Sequence, residues 1–537
     1  MKNYALRILS LLLVVATLSL MVSCDLSSVL GDIAPDDLGN GVQNGTTNDV
    51  KFTFGTTKES TEKDTTIIGE PSFIPWIPIE PLDFEGEELV VLYRDNIQNS
   101  REWFKEEPED ELDEAVAQRN QKVEETLNIN VRFEPVPTNS GYDAYAARLT
   151  EMICNDVDAA LHNYDISANH SYATAYTAIR DYAANLFDEQ IFPYFNFELP
   201  CWNQSIVKNT TINDRLHYIA GDINLSMFDA ACVVWHNATL YDRYKEHTDP
   251  ENMQQLALDG FWTYDELYRW ATRMYEDTNG IEGRQEDDTY GLLIEDHPGT
   301  IDAIPAAWEI SFVNSYDDGS HFFTVSGNQK FEEALTKCKT LLKGVGTYTV
   351  KDVSSFAAGH SLFYMGALYK DHNSNMAIRE MYDKYGLLPM PKYDVDQAEY
   401  GTTAQDYYTL MFVLDHSMST LPTKSEAVSA YLQLSAEESY NGVRGYYFNR
   451  IIKPKFFGVD DTTGTVTRSI AIFDIIVSNI NFEFSNIYSP QLCNITWLWR
   501  DVINDRINDN TLESAYLSRQ ESFEQAMRDV DKWFGLN

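Results

Sequence analysis

The sequence predicts an α/β protein with two lobes, and three observations predict it. From Glu88 onward, short apolar runs rich in β-branched residues alternate with stripes of apolar residues at helical spacing, the pattern of parallel strands joined by right-handed crossovers. The same alternation continues beyond Trp262, and 537 residues exceed what one ordinary core accommodates. With 44% hydrophobic residues the chain can fill two cores, yet no segment after the N-terminus approaches the roughly 18 uninterrupted apolar residues of a membrane span.

The first element is an export signal. Lys2 and Arg7 supply a positive start, Ile8 to Leu20 an apolar run too short to cross a bilayer, and Met21-Val22-Ser23 lead into Cys24. This resembles a bacterial lipobox with Met21 in place of the usual Leu, so 1–23 is expected to be a signal peptide and Cys24 a lipidated first residue. Residues 24–85 follow as a tether, because a stretch of Asp, Gly, Asn, Thr and Pro buries too little apolar area to offset its ordering entropy. About 50 such residues reach on the order of 40 Å, and Trp76 is a candidate to dock on the body.

Glu88 to Arg94 reads as a strand, Leu112, Val116, Val123 and Leu127 as one face of a helix, and Ile129, Val131 and Phe133 as a second strand. Tyr142, Tyr145, Leu149 and Met152 mark another helix, and Val157 to Leu161 a third strand. Ligands bind outside the carboxyl ends of strands in such sheets, which singles out Arg94-Asp95-Asn96 and His162-Asn163-Tyr164. Farther on, Thr263 and Glu266 have the spacing of a capping box ahead of the stripe Leu267, Trp270, Ala271 and Met274. Tyr290 to Ile294 is a strand, and Phe331, Leu335, Cys338 and Leu342 form a helix stripe stopped at Gly344. An apolar segment at 361–369, a helix at 375–383, a strand at 385–389 and a final helix with Phe523, Met527, Val530 and Phe534 complete the pass.

Charge and motifs exclude several functions. There are 40 Lys plus Arg against 83 Asp plus Glu, and loss of Lys2 and Arg7 with the signal takes the net charge from −43 to −45. Such a surface repels phosphate, so nucleic-acid binding is excluded and the only expected membrane contact is the lipid anchor. No HExxH, GxSxG, Walker loop or GxGxxG-plus-acid unit occurs, the ten histidines have no metal-ligand spacing, and no metal or cofactor is called for. Cys154, Cys201, Cys232, Cys338 and Cys493 lack CxxC spacing and read as small buried hydrophobes with at most one or two bridges among them.

Several segments in order resemble one family, the extracellular solute-binding lipoproteins of ABC importers of the carbohydrate type (family 1). They are Cys24, Ala178-Ile179-Arg180-Asp181-Tyr182, Pro200-Cys201-Trp202, Leu216 to Asp222, Trp235-His236-Asn237 with Leu240-Tyr241, Trp262 to Leu267, Phe356 to Ser361 and Gly386 to Lys392. The resemblance implies a two-lobe, periplasmic-binding-protein-like fold of type II, with a hinge crossed more than once, first near Gly221-Asp222 and again near Tyr385 to Pro391. Lobe 1 is then 86–222 plus about 386–445, and lobe 2 is 223–385 plus about 446–537. It further implies a monomer without catalysis that closes on a small ligand, a sugar or oligosaccharide, outside the cell and delivers it to permease subunits.

By position in the family pattern the cleft candidates are Arg94, Asn163 and Tyr164, then Trp202 and Asp222 near the crossing, Trp235 and Trp308 from lobe 2, and Gln405, Asp406 and Tyr407 after the return. Tryptophan rings would stack on sugar faces, while Asp and Gln would bond hydroxyls. The body is longer than that of many sugar-binding members, which leaves a peptide-binding receptor of the same fold open as an alternative. A secreted carbohydrate-active enzyme would need two carboxyls about 5–10 Å apart in the cleft, one with a raised pKa. A scaffold lipoprotein would have a filled, shallow cleft.

Overall fold

The apolar run after Glu88 forms a strand buried along most of its length, and the first sheet is built around it. A computed structural model describes residues 82–537 apart from 97–100, 105–106, 139–140, 179–181, 279, 370–371, 406, 416–417, 453–464, 508–510 and 537. Cys24, the signal, the tether through 81, Trp76, Asp406 and the 179–181 part of the family-like segment therefore lie outside the described residues. Among the described residues, no helix is long and apolar enough to cross a membrane.

Strand β1 (Glu87–Asp95) pairs in parallel with β2 (Ile129–Pro137) and with β3 (Ile166–His170). The helix Glu111–Leu127 between β1 and β2 starts where the Asp110 carboxylate accepts from the amides of Leu112 and Asp113, both at 3.0 Å. It ends at Asn128, whose left-handed φ of 47° turns the chain directly into β2.

The third strand differs from expectation. Val157 lies in the helix Tyr142–Asp158, and Ala160 and His162 have φ of 50° and 55°, so 157–161 is a helix end and turn. The strand comes later, at Ile166-Ser-Ala-Asn-His170, and all five residues are buried. Its polar members are internally bonded: Asn169 donates to the carbonyl of Leu92 at 2.8 Å and accepts from the Tyr145 hydroxyl at 2.9 Å.

Six strands form the second sheet: β4 (Cys232–Asn237), β5 (Tyr275–Glu276), β6 (Thr289–Glu295), β7 (Thr347–Val350), β8 (Ser361–Ala367) and β9 (Tyr385–Leu388). Its order is β7-β6-β8-β4-β9, with β5 on β6; β7, β6 and β8 run parallel, and β4 runs against β8 and β9. The expected return at Tyr385 to Pro391 is thus corrected, because β9 belongs to this second sheet. The chain rejoins the first sheet only at β10 (Thr409–Val413), antiparallel to β3, giving the order β10-β3-β1-β2.

The capping box is also corrected. Thr263 makes no side-chain cap, the amide of Tyr264 donates to the carbonyl of Lys392, and Glu266 is held by Arg269 and by the Trp270 indole N–H at 3.0 Å. The helix Pro422–Glu438 packs on β1 and on Glu111–Leu127 of the first sheet. After it, a π-turn at Ser439–Val443 and the helix Arg444–Ile452 lead toward Thr465–Ser478, which packs on β9 of the second sheet.

One core cluster, with Leu89, Val91, Trp103, Val123, Ile166 and Leu432, lies within the first lobe. The larger cluster runs from Leu92, Val116 and Tyr145 through the crossing segments into the second sheet. The crossings therefore pack in an apolar, aromatic-rich seam, with Tyr408 against Phe482 at 4.5 Å and Phe228 against Tyr447 at 5.4 Å.

Candidate ligand cleft

The helices that follow β3 and β6 are bridged by a third helix, Trp497–Ile503. After β3, Tyr172 accepts a hydrogen bond at 3.1 Å from the indole N–H of Trp497, which sits on the helix Trp497–Ile503. Arg500, one turn along that helix, lies 4.2 Å over the Trp497 ring and pairs at 2.7 Å with Asp302, on the helix that follows β6. Rings continue into the first lobe: His170 is 6.2 Å from Tyr172 and 4.9 Å from Tyr142. Tyr142, Tyr172 and Trp497 are each half-buried, and the row runs from β3 and the helices after β2 and β3 to the helix Trp497–Ile503.

Arg94, expected at this end, is here: its guanidinium lies 5.3 Å over the Tyr145 ring, and the Tyr145 hydroxyl accepts from the His170 amide at 3.1 Å. Tyr407 has its hydroxyl 3.3 Å from the Tyr369 carbonyl and its ring 6.4 Å from His297. Gln405 is beside it but sealed; its amide donates to Glu295 and to the Thr300 hydroxyl, both at 3.0 Å, which ties the return segment to the end of β6.

The remaining candidates are elsewhere. Asn163 and Tyr164 precede β3 and so lie at the opposite end of the sheet, where their amides donate to the buried Asp156 carboxylate at 3.0 and 3.1 Å. Trp202 is 1% exposed in the first-lobe core, its indole bonded to Gln433 at 2.9 Å, and so has no face for a ligand. Trp235 in β4 is 0% exposed against Tyr385. Trp308 is buried among Tyr264 and Tyr393, with its N–H on the Pro391 carbonyl at 3.1 Å. Asp222 belongs to the hinge: it pairs with Arg444 at 3.5 Å, and burial pushes its carboxyl up to about 6 against the pull of that arginine.

Sequence reasoning missed Tyr142, His170, Tyr172, Trp497, Arg500 and Asp302 as a group. With the strand at Ile166–His170 and not at 157–161, the loop expected after it shifts from His162-Asn163-Tyr164 to Ser171-Tyr172. Among the described residues, no group of three His, Cys, Asp or Glu side chains is set to hold a metal ion.

No family model matches the chain, and no curated protein matches its sequence. Solved structures do match its shape. The cyclic α-maltosyl-1,6-maltose binding protein of Arthrobacter globiformis aligns at a TM-score of 0.52 and 11% identity, over 83% of this chain and 100% of its own. A cyclo/maltodextrin-binding protein complexed with maltotetraose aligns at 0.50 and 14%, over 84% and 97%. The sugar-binding protein MalE of Xanthomonas citri aligns at 0.50 and 11%, over 83% and 97%. This chain has their two-lobed fold. Tyr142 follows β2 and Tyr172 follows β3, so the row of Tyr142, His170, Tyr172 and Trp497 starts at the carboxyl end of the first sheet.

Proposed function

We propose that the protein is a receptor that captures a sugar or oligosaccharide between its lobes outside the cell and passes it to an ABC importer permease. The observation that carries this is the half-buried aromatic row closed by an Arg500–Asp302 pair, joining groups from both lobes. Sugar rings offer apolar faces to aromatic side chains and hydroxyls to amides, carboxylates and guanidinium groups, and contacts to both lobes exist only when the lobes approach. The proteins that share the fold at TM-scores of 0.50 or more carry sugar-binding descriptions, which agrees with this reading.

Binding without catalysis fits the carboxyls. Asp302 is neutralised by Arg500, while Glu102 and Glu483, pushed up to about 7 by burial, are 0% and 8% exposed. A glycosidase acid must reach both substrate and water. We further propose export by the segment 1–23, lipidation at Cys24 and tethering by the residues that follow, which leaves the receptor on the outer face of a membrane.

The test is thermal unfolding of the full-length protein with maltotetraose, other oligosaccharides, monosaccharides and short peptides. A ligand that binds only the folded form stabilises it by about 2.7 kcal/mol at a hundred times its dissociation constant. A raised midpoint with a sugar recovered intact supports the receptor. A shift with peptides alone favours the peptide-binding alternative, and a cleaved sugar favours an enzyme.

A further inference from the structure

Strand β2 is the last strand of the first sheet, and between it and the helix Glu111–Leu127 an apolar groove is open. Phe104, Ala117, Val131, Phe133 and Tyr431 line it, around a volume of about 260 Å³. The Phe104 and Phe133 rings stack at 5.0 Å, and both, with Val131, are only partly buried. Polar groups at the rim are turned to other partners: Asn120 donates to the Trp103 carbonyl at 2.6 Å, Gln121 donates to Glu125 at 2.8 Å, and Glu124 accepts from the Val131 amide at 2.8 Å. Tyr431 is 2% exposed, and its hydroxyl, near Arg119 and Ser435, has no hydrogen-bond partner among the described residues. An apolar cavity of about 150 Å³ already accepts benzene, so this one has room for a larger ring. A buried hydroxyl left unpaired is costly, which favours an occupant that bonds it.

The chain itself carries such a ring close by. The described residues start at Leu82, which packs with Phe84 on the first-lobe core, and the Phe84 amide donates at 3.0 Å to the carbonyl of Leu127, the last residue of the helix that lines the groove. Asp83 is fixed at the same place, accepting from the Asn128 side chain at 2.6 Å. Glu124, Gln121 and Ala117 lie three, six and ten residues back along that helix, about 5, 9 and 15 Å at its rise per residue. Trp76 is six residues before Leu82, a stretch that reaches about 20 Å when extended. It stands in Phe73-Ile74-Pro75-Trp76-Ile77-Pro78-Ile79, the last apolar run before the fold. The two prolines have no amide to leave unpaired on an apolar surface, and they restrict the free chain, so less entropy is lost on docking.

We propose that this groove is the docking site of the chain's own 73–79 segment, with the Trp76 ring in the cavity and its indole N–H on the Tyr431 hydroxyl. Docking covers the half-exposed rings at the end strand of the sheet and ties the N-terminal connection to the first lobe. A linker of about 50 residues then sets how far the body stands from the lipid proposed at Cys24. The docking itself needs neither that lipid nor a sugar, so it stands or falls apart from the receptor reading.

The test is Trp76→p-benzoylphenylalanine in the full-length protein, illuminated and mapped by peptide mass spectrometry. The expected product is a cross-link within one chain to the peptides that hold Phe104, Ala117 to Glu124, or Val131 to Phe133. Ala117→Trp, which fills the groove from the helix, is expected to abolish that product. Cross-links to another face of the chain, to a second copy alone, or to nothing overturn the docking and leave the sugar reading untouched. An undiminished cross-link in Ala117→Trp overturns it equally. Should that variant not fold, Gln121→Trp blocks the groove from an exposed position on its rim, with the same two outcomes.

Discussion

Trp202→Ala and Trp497→Ala should separate packing from recognition. The first leaves a cavity in the first-lobe core beside Phe195 and Phe197 and removes one of the two hydrogen bonds to the Gln433 side-chain oxygen, which keeps that from the Asn196 amide, at a cost of about 3–5 kcal/mol. The second removes a half-buried ring whose indole holds Tyr172, so its unfolding midpoint should stay near wild type while sugar affinity falls about tenfold, the effect of ~1.4 kcal/mol. Calorimetric titration alongside thermal melts reads both; equal loss of stability in the two variants would contradict the assignment. Glu483 makes a second residue-scale prediction. Burial raises its carboxyl from an ordinary 4.5 to about 7, with the Phe312 amide and the Ser311 and Ser485 hydroxyls opposing. A raised carboxyl favours folding fully below its unfolded value, and that contribution is lost as pH rises through about 7. Glu483→Gln should therefore melt higher than wild type at pH 8, by at most about 3 kcal/mol in stability, with the difference shrinking toward pH 5. A pH-independent difference would show that charge is not the cause.

At the scale of elements, Asp110 caps the helix Glu111–Leu127 through two amides, so Asp110→Ala should cost about 1 kcal/mol in urea unfolding. A change within error would mean that other contacts set that helix start. Elements that could be read from the chain had a clean period: β1 with its apolar run, β2 with its alternation, and the helix Gln520–Trp533 with Phe523, Met527 and Val530 on one face. Strand β3 could not, because Ser167, Asn169 and His170 satisfy their polar groups inside the fold rather than in water. The helix Pro422–Glu438 also lacks a stripe, since Ser425, Ser429, Gln433 and Glu437 are buried along with its apolar residues. The site suffered most. Tyr172 and Trp497 are 325 residues apart and meet only through the tertiary fold, whereas the tryptophans that stood out in sequence are core.

Across the molecule, and among the described residues, three segments link the sheets: 222–231, 402–405 with 407–408, and the π-turn and helix around Arg444. They are bonded to one another through Arg444 with Asp222, Tyr447 with Asp229, and Ser226 with Thr409, so the lobes are expected to move about this seam as rigid bodies. A net charge of −43 adds long-range repulsion that salt screens, while the aromatic row supplies short-range attraction that depends on ligand. The most direct measurement is small-angle scattering at pH 8 with and without a saturating sugar that raises the melting temperature. Capture between the lobes predicts a smaller radius of gyration on binding, lost in Trp497→Ala at the same sugar concentration. A bound sugar that leaves the radius unchanged, or compacts the variant equally, would place the ligand somewhere other than this cleft.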